Sequence, residues 1–383
     1  MFEYFEDNYP WNLAIVTALE MGAVASDIDT ACRKLRSIPK DDVIKAILAW
    51  ADAWSSLGER LFRQAQSDEA GHHYRSAGEK YLRGSLYYLM AERPLTHKDS
   101  RKKECYQKGI SMFRKGVELR SDSAEFVEIP YGNSFLPAVF VKAQGNKVAP
   151  CIINFNGFDW IKEFNYFLLA LDNSRRGFSS LFCDQPGSGG ALRLHGITAE
   201  LASEKPAAAC IDYLETRRDV DRNKIGIHAA SLGGYYAPRA AAFEKRLSFC
   251  AVSGAFYDGL DVMRMRAEKG KDYAQSVPDA DDQVMWVTGC DSMAGIMDFL
   301  AKTTLKGVAE HIQCPLLIIH GGADRQIPIN HGQLTYDAAI NSPNRKLVVL
   351  GQEDGGIEHC SIDNFPLVRE ITADWISDML KKL

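Results

Sequence analysis

The sequence predicts an α/β fold in which helices cover both faces of a mostly parallel sheet, preceded by an all-helical region. Residues 1–122 have helical spacing of apolar residues and few strand signals. An alternating hairpin pattern follows at 124–141, and from residue 149 short apolar runs alternate with helical segments. Such alternation of strands and helices is typical of parallel sheets whose crossover helices lie on the two faces.

Amphipathic helices are predicted in the N-terminal region at about 41–54, 70–90 and 106–119. Small and aromatic residues alternate in these helices, as they do in helical repeats that bind partners. No fixed period runs through the region, so a repeat scaffold is the less favoured interpretation. We therefore predict one helical domain over residues 1–122, followed by a second domain over residues 123–383.

The second domain begins with the β-hairpin and continues with predicted strands at 149–155, 180–183, 224–230, 249–252, 316–319 and 346–350. Helices are predicted at about 163–175, 199–216 and 366–380, and after the strand that ends near residue 230. A segment at about 257–308 has no strand signal and is rich in methionine and aromatic residues, which predicts a helical lid; two packing helices are the alternative. Ligands bind at the carboxyl ends of parallel strands, where this insertion emerges.

Composition excludes several classes of protein. Of 383 residues, 46% are hydrophobic and 25% charged, which is usual for a globular protein, and the net charge of −5 argues against nucleic-acid binding. The acidic N-terminus fits neither a signal nor a transit peptide, and no apolar run is long enough for a membrane span. The nine cysteines are scattered without metal-ligand spacing, so we expect reduced core residues, a cytoplasmic protein and no metal or cofactor.

A candidate nucleophile lies where an apolar strand ends at Ala229-Ala230-Ser231-Leu232-Gly233 and an alanine-rich helix follows. A serine on such a strained turn, called a nucleophile elbow, projects its hydroxyl from the sheet, and both flanks of the turn must be small. Ala229 stands where glycine is usual and adds one methyl group. The alternative is a serine that caps an ordinary helix.

A serine nucleophile needs a histidine base, and the histidine needs a carboxylate that fixes its tautomer. Asp324 follows a buried strand and a glycine turn and is the predicted acid, with Asp258 as the second choice. His359 follows the last strand in a glycine-rich loop and is the predicted base. We interpret His320 as a turn residue beside the acid and His228 as a packed core histidine.

An oxyanion hole is expected from backbone N–H groups. The N–H of Leu232 follows the nucleophile directly, and a second donor should lie in the turn after the strand at 149–155. Phe158 is the preferred second donor, with Gly157 and Asp159 left open. Another turn, Cys183-Asp184-Gln185-Pro186-Gly187-Ser188-Gly189, is expected to shape the sheet edge near the site, and we assign it no chemistry.

These motifs resemble those of an α/β-hydrolase subgroup with a helical N-terminal domain. The subgroup contains 2,6-dihydroxypseudooxynicotine hydrolase and the fungal hydrolases that shorten polyketide pigment precursors. The matching motifs are 156–159, 184–189, 231–234, 320–324 and 358–360, and the resemblance of residues 1–120 lies only in helical character and length. It implies Ser231 as nucleophile, Asp324 as acid and His359 as base. The subgroup often carries a Lys-Glu pair after the oxyanion turn, matched here by Lys162 and Glu163, whose role is structural or substrate-facing.

The resemblance implies a serine hydrolase acting on a carbonyl group, with the helical domain as a cap over substrate access. We expect a carboxylic ester of small to medium apolar or aromatic character, with Glu163, Met263 and Trp286 as possible substrate contacts. The group's best-known reactions hydrolyse carbon–carbon bonds beside ketones, so cleavage of a β-diketone or polyketide-like substrate is the first alternative. A non-catalytic ligand- or partner-binding protein is the second. A homodimer is possible, and no nucleic acid or membrane is expected as a partner.

Overall fold

A computed structural model describes residues 1–38, 42–145, 147–270 and 280–382 of the chain. The predicted helix start at Asp41 and residues 271–279 of the predicted lid lie outside these residues. Within the described part, the chain divides into two compact units whose boundary falls at Ala124, close to the predicted one at residue 122. The described residues 280–283 group with the first unit. No helix in the described residues is long and apolar enough to cross a membrane.

The first unit is helical, as its apolar spacing predicts. Its elements are α1 (Tyr9–Glu20), α2 (Ala25–Cys32), a 3₁₀ helix (Arg33–Ser37), α3 (Val43–Ala70), α4 (Tyr74–Glu92) and α5 (Ser100–Arg120). The side chains of Asp42 and Asp99 cap α3 and α5 by accepting backbone N–H groups. Indole stacking in α3 places the rings of Trp50 and Trp54 5.1 Å apart, with Tyr87 of α4 edge-on to Trp54.

The predicted helix at 70–90 starts in the wrong place. Ala70 is the last residue of α3, and α4 begins only at Tyr74. Between them His72 adopts the left-handed conformation with φ of +59°, which no residue inside a right-handed helix can have. The helical spacing of apolar residues continues across the break, because α3 and α4 pack their apolar faces in the same core. The turn between them therefore has no signal in the apolar pattern.

The second unit contains an eight-stranded sheet in the order β1-β2-β4-β3-β5-β6-β7-β8. The strands are β1 (Ala124–Tyr131), β2 (Ser134–Val141), β3 (Ala149–Asn154), β4 (Ser179–Cys183), β5 (Val220–Ala230), β6 (Cys250–Ser253), β7 (Leu316–Gly321) and β8 (Arg345–Leu350). From β4 to β8 all pairings are parallel, and β2 pairs with β4 antiparallel. The predicted hairpin and mostly parallel sheet are confirmed.

Helices cover the two faces of this sheet. The helices that follow α5 are α6 (Lys162–Arg175), α7 (Gly189–Arg193), α8 (Glu204–Glu215), α9 (Gly233–Phe243), α10 (Gly259–Lys269), α11 (Ala280–Thr288), α12 (Met293–Lys302), α13 (Asn330–Ala338) and α14 (Phe365–Leu380). Of these, α10, α11 and α12 belong to the insertion between β6 and β7, and the others pack on the sheet. Neighbouring residues of one strand enter different cores: Ile153 packs in the larger core with α8 and α9, and Ile152 in the core with α14. This alternation follows from the period of two in a strand.

Two further sequence predictions need correction. The helix expected from residue 199 begins only at Glu204, and the N–H of Ala199 bonds to the carbonyl of Val287. The nine-residue helix α13 was not predicted, since it is too short for a clear apolar period.

Candidate active site

Ser231 stands on the turn between β5 and α9 in a strained conformation. Its φ is +60°, a left-handed value that costs free energy in a residue with a side chain. The turn is held by two backbone hydrogen bonds, from the N–H of Ser231 to the carbonyl of Ser253 (3.0 Å) and from the N–H of Gly234 to the carbonyl of Ser231 (2.7 Å). Strain of this kind, kept by surrounding bonds, is the signature of a nucleophile elbow.

The small flanks of the elbow are sterically required. A Cβ atom added at Gly233 would lie 2.6 Å from the methyl group of Ala229. Alanine at position 229 is therefore tolerated only because residue 233, which faces it across the turn, is glycine. A Cβ atom at Gly234 would lie 2.4 Å from the carbonyl oxygen of Gly254. The departure from glycine at Ala229 is therefore compatible with the turn.

The structure brings Ser231, His359 and Asp324 together in one hydrogen-bonded chain. Nε2 of His359 lies 2.8 Å from Oγ of Ser231, and Nδ1 lies 2.9 and 3.1 Å from the two carboxylate oxygens of Asp324. Asp324 follows β7, and His359 is the first residue of a 3₁₀ helix (His359–Asn364) that follows β8. Because β5, β7 and β8 are parallel, their carboxyl ends reach the same edge of the sheet.

The charges along the hydrogen-bonded series of Ser231, His359 and Asp324 favour proton transfer. Burial alone would raise the pKa of Asp324, but the charge of His359 and their hydrogen bond bring it below its ordinary value. Burial opposes protonation of His359, but the carboxylate of Asp324 and the neighbouring Cys360 raise its pKa well above 6.5. The acid is therefore ionised, and the imidazolium that forms when the histidine accepts a proton is stabilised.

The loops that carry Asp324 and His359 are tied together by residues that were not predicted. Arg325, next to Asp324, donates two hydrogen bonds to the carboxylate of Glu358, next to His359, at 2.7 and 3.0 Å. The carboxylate of Asp363 accepts the backbone N–H groups of Ile357 and Glu358. These bonds fix the loop from which His359 reaches Ser231.

Cys360 adds a thiol beside the imidazole of His359. Its Sγ lies 3.4 Å from Nε2 of His359, and Cys360 and Ser361 both have left-handed φ of 54°. A Cβ atom on Gly254 would lie 3.0 Å from that sulfur, so glycine at the end of β6 leaves room for the thiol. The sequence signal for this residue was the Glu358-His359-Cys360 match alone.

The other histidines and the second-choice acid have different positions. His320 is the fully buried penultimate residue of β7, so its interpretation as a turn residue is wrong; its Nδ1 accepts the N–H of Ala255. His228 is buried in β5, and burial lowers its pKa to about 4, as suits a neutral core residue. Asp258 caps α10 through the N–H groups of Leu260 and Asp261.

The turn after β3 lies directly against Ser231. A Cβ atom added at Gly157 would lie 3.0 Å from the carbonyl oxygen of Ala230 and 3.1 Å from Cβ of Ser231. Phe158 is the next residue in this turn and is half-buried. Leu232 opens α9 on the other side of Ser231. Their roles as oxyanion donors stay predictions.

Lys162 and Glu163 form a buried charge cluster with Asp184. Nζ of Lys162 lies 2.6 Å from Oε1 of Glu163 and 2.8 Å from Oδ2 of Asp184. Asp184 and Glu163 are at most 1% exposed. Burial raises the pKa of Glu163, and the ammonium of Lys162 opposes this rise. A substrate contact by Glu163 stays a prediction, and its burial favours an interior role.

The remaining predicted contacts lie in the helical insertion. Met263 is in α10 and Trp286 in α11. The guanidinium of Arg193 lies 5.5 Å from the centre of the Trp286 ring. Contact of either residue with substrate stays a prediction. In the described part of the chain, no cluster of three or more histidine, cysteine or acidic residues could hold a metal ion.

Comparison with known proteins gives four matches. Residues 176–359 match the model of the prolyl oligopeptidase family. The chain is 26% identical to 2,6-dihydropseudooxynicotine hydrolase of Paenarthrobacter nicotinovorans over 87% of this chain and 85% of that one. It is also 26% identical to the hydrolyase ccsE of Aspergillus clavatus, with 86% and 87% covered. The crystal structure of 2,6-dihydroxy-pseudo-oxynicotine hydrolase superposes with a TM-score of 0.78 over 96% of this chain and 95% of that one, at 26% identity.

Proposed function

We propose that this chain, a hydrolase of the α/β-hydrolase superfamily with the fold of that group, hydrolyses a carbonyl substrate with Ser231 as nucleophile. The observation that carries the proposal is the unbroken series of contacts from Oγ of Ser231 through the imidazole of His359 to the carboxylate of Asp324. A serine hydroxyl becomes an effective nucleophile only when a base removes its proton.

The protonation states follow from the hydrogen bonds. An ionised carboxylate can only accept, so Nδ1 of His359 carries the hydrogen that faces Asp324. Nε2 then presents its lone pair to Oγ of Ser231 at 2.8 Å and can take the serine proton. Asp324 fixes this tautomer and stabilises the imidazolium.

In the proposed reaction, Oγ of Ser231 attacks the carbonyl carbon, and the oxygen becomes an oxyanion held by the N–H groups of Leu232 and Phe158. His359 returns the proton to the leaving group, which departs as the carbon–oxygen bond breaks. Water, deprotonated by the same histidine, then releases the acid from the acyl-enzyme. The substrate is a carboxylic ester of small to medium apolar or aromatic character. The N-terminal domain and the insertion at about 257–308 act in substrate access.

A carbon–carbon bond hydrolase is the second candidate. Similarity to 2,6-dihydropseudooxynicotine hydrolase along most of the chain favours it, since the motif resemblance implies cleavage beside ketones. The same groups would serve: Ser231 attacks one ketone of a β-diketone, the carbon–carbon bond breaks, and His359 protonates the enolate that leaves.

The test compares turnover of aryl esters and β-diketones by wild type, Ser231→Ala and Ser248→Ala. Ser248 is a matched control because its hydroxyl bonds to the carbonyl of Ile225, away from the elbow. We expect Ser231→Ala to abolish turnover and Ser248→Ala to retain it. The preferred substrate then decides between ester and carbon–carbon cleavage. Full turnover by Ser231→Ala contradicts the proposal, and a folded wild type without any turnover favours a binding protein.

A further inference from the structure

The turn 156–159 is held against the nucleophile by one side chain that the mechanism above does not use. Besides the contact of Gly157 with Ser231, the carbonyl oxygen of Asn156 would lie 3.3 Å from a Cβ atom added at Gly233. The turn therefore touches the elbow on both sides of the serine. Its position sets where the second oxyanion donor lies relative to Oγ of Ser231.

The side chain of Asn156 is fully buried, and all its polar atoms are used. Its Nδ2 lies 3.1 Å from the carbonyl of Cys183, 3.0 Å from Oδ1 of Asp184 and 3.0 Å from Oγ of Ser188. An amide has two N–H bonds, so one of them is shared between two acceptors. Its Oδ1 accepts a hydrogen bond of 2.9 Å from Nδ2 of Asn165.

The main chain of Asn156 is fixed as well. Its N–H donates to Oε1 of Gln185 at 2.9 Å, and its carbonyl accepts from Nε2 of Gln185 at 2.9 Å. One glutamine thus reproduces the paired bonds of a sheet, at the point where β3 has ended. Gln185 and Asp184 belong to the turn after β4, which lies beside β3 in the sheet.

Asp184 anchors this second turn. Besides the ammonium of Lys162, its carboxylate accepts the backbone N–H of Lys162 at 2.8 Å and that of Gly190 at 2.7 Å. A Cβ atom on Gly189, whose φ is +43°, would lie 1.9 Å from the carboxyl carbon of Asp184, so the turn closes tightly on the carboxylate. A buried charge with this many donors has one stable position.

We propose that Asn156 is a positioning residue for the oxyanion hole: it fastens the turn 156–159 to the turn 183–190 and thereby presets the second donor beside Ser231. This inference rests on the proposed function. Oxyanion donors lower the barrier only when they already point to where charge develops, and small displacements of such groups are costly in rate. Asn156 acts through the backbone of its turn and does not touch the reacting atoms.

The test uses Asn156→Ala, with Asn173→Ala as its matched control. Asn173 is also a buried asparagine, lies on α6, and donates a single bond of 3.0 Å to Oγ of Ser180. Each variant loses buried hydrogen bonds and so some thermal stability. Ser188→Ala, which removes one of the three acceptors of Asn156, is measured in parallel as a milder change.

Two readouts separate positioning from a merely structural role. The first is the division of the effect between kcat and KM on an ester that wild type turns over. The second is inhibition by an aryl trifluoromethyl ketone. When this ketone binds, Oγ of Ser231 forms a bond to its carbonyl carbon, and the carbonyl π bond breaks to give an oxyanion. The serine proton passes to His359. Affinity for this inhibitor depends on the oxyanion hole, whereas KM reports ground-state binding when acylation is slow.

For Asn156→Ala we expect kcat to fall by about 10- to 100-fold and the inhibition constant to rise by a similar factor. KM of Asn156→Ala should stay within about twofold of wild type. For Asn173→Ala, kcat, KM and the inhibition constant should all stay within about twofold of wild type. Ser188→Ala should shift kcat and the inhibition constant in the same directions, and it decides alone if Asn156→Ala does not fold. Unchanged kcat and inhibition in the folded variants would overturn the inference, as would a fall in kcat without weaker inhibition. Failure of the proposed function is recognised separately, by full turnover in Ser231→Ala.

Discussion

Asp324→Asn should inactivate the enzyme by reversing the tautomer of His359. Oδ1 of Asp324 accepts the backbone N–H groups of Gln326 and Ile327 at 2.8 and 3.0 Å. In the asparagine variant the carbonyl oxygen must keep this position, because an NH₂ group cannot accept these bonds. The NH₂ group then takes the place of Oδ2, which lies 2.9 Å from Nδ1 of His359.

Two donors cannot face each other at that distance. The remaining carbonyl oxygen lies 3.1 Å from Nδ1, but its two lone pairs are already used by the backbone N–H groups of Gln326 and Ile327, so the hydrogen of His359 moves to Nε2. Nε2 then points a hydrogen at Ser231 and has no lone pair for the serine proton. A wrong tautomer of this kind costs about 10⁴-fold in kcat in a serine protease, or about 5 kcal/mol in activation free energy. Loss of the carboxylate also removes the main group that raises the pKa of His359.

The assay is the pH profile of kcat/KM on an aryl ester for wild type and Asp324→Asn, with the folded state checked by circular dichroism. We expect a loss of about 10⁴-fold near neutral pH and an acidic limb displaced to lower pH. Retention of activity within about tenfold, or an acidic limb at the wild-type pH, would refute the tautomer argument.

Three further predictions concern the pH dependence of wild type, the turn at Gly157 and the helical unit. In wild type, kcat/KM should fall about tenfold per pH unit below a pKa that lies above 6.5, since protonated His359 cannot act as a base; a limb below 6 in a pH–rate profile would contradict this. Gly157→Ala should lower kcat about 10-fold or more and cost about 1–3 kcal/mol in unfolding free energy, because its Cβ would lie 3.1 Å from Cβ of Ser231; steady-state kinetics and urea denaturation check both. Lys102→Met should destabilise the helical unit by about 3–5 kcal/mol, because it leaves buried Glu92 without the ammonium 2.8 Å away. Exposed Lys103→Met is the control in the same denaturation experiment, and equal midpoints would contradict the prediction.

Ser231, Asp324 and His359 could be selected from the sequence because each of them follows a predicted strand. Strand ends of a parallel sheet converge, so Ser231, Asp324 and His359 could be expected near one another without knowledge of their contacts. The small residues Ala229 and Gly233 supported the elbow in the same way. Their catalytic roles remain part of the proposal.

The hydrogen bonds that fasten Asn156 to the turn after β4 could not be predicted in the same way. Asn156 and Gln185 are 29 positions apart and meet only because β3 and β4 are neighbours, and strand order has no signature in local periodicity. The turn at 183–189 was noticed for its glycines, but the sequence does not say which donors surround Asp184. The interpretation of His320 as a turn residue is wrong for a related reason: a polar residue before two glycines is typical of a turn, although here it is the penultimate residue of a buried strand.

Covalent labelling asks whether Ser231 is an activated nucleophile. Wild type, Ser231→Ala and Ser248→Ala would be treated with a fluorophosphonate and examined by intact mass spectrometry. We predict a single adduct on wild type and on Ser248→Ala, formed as the serine oxygen displaces fluoride, and none on Ser231→Ala. An adduct that persists in Ser231→Ala, or folded wild type that turns over esters without being labelled, would contradict the claim.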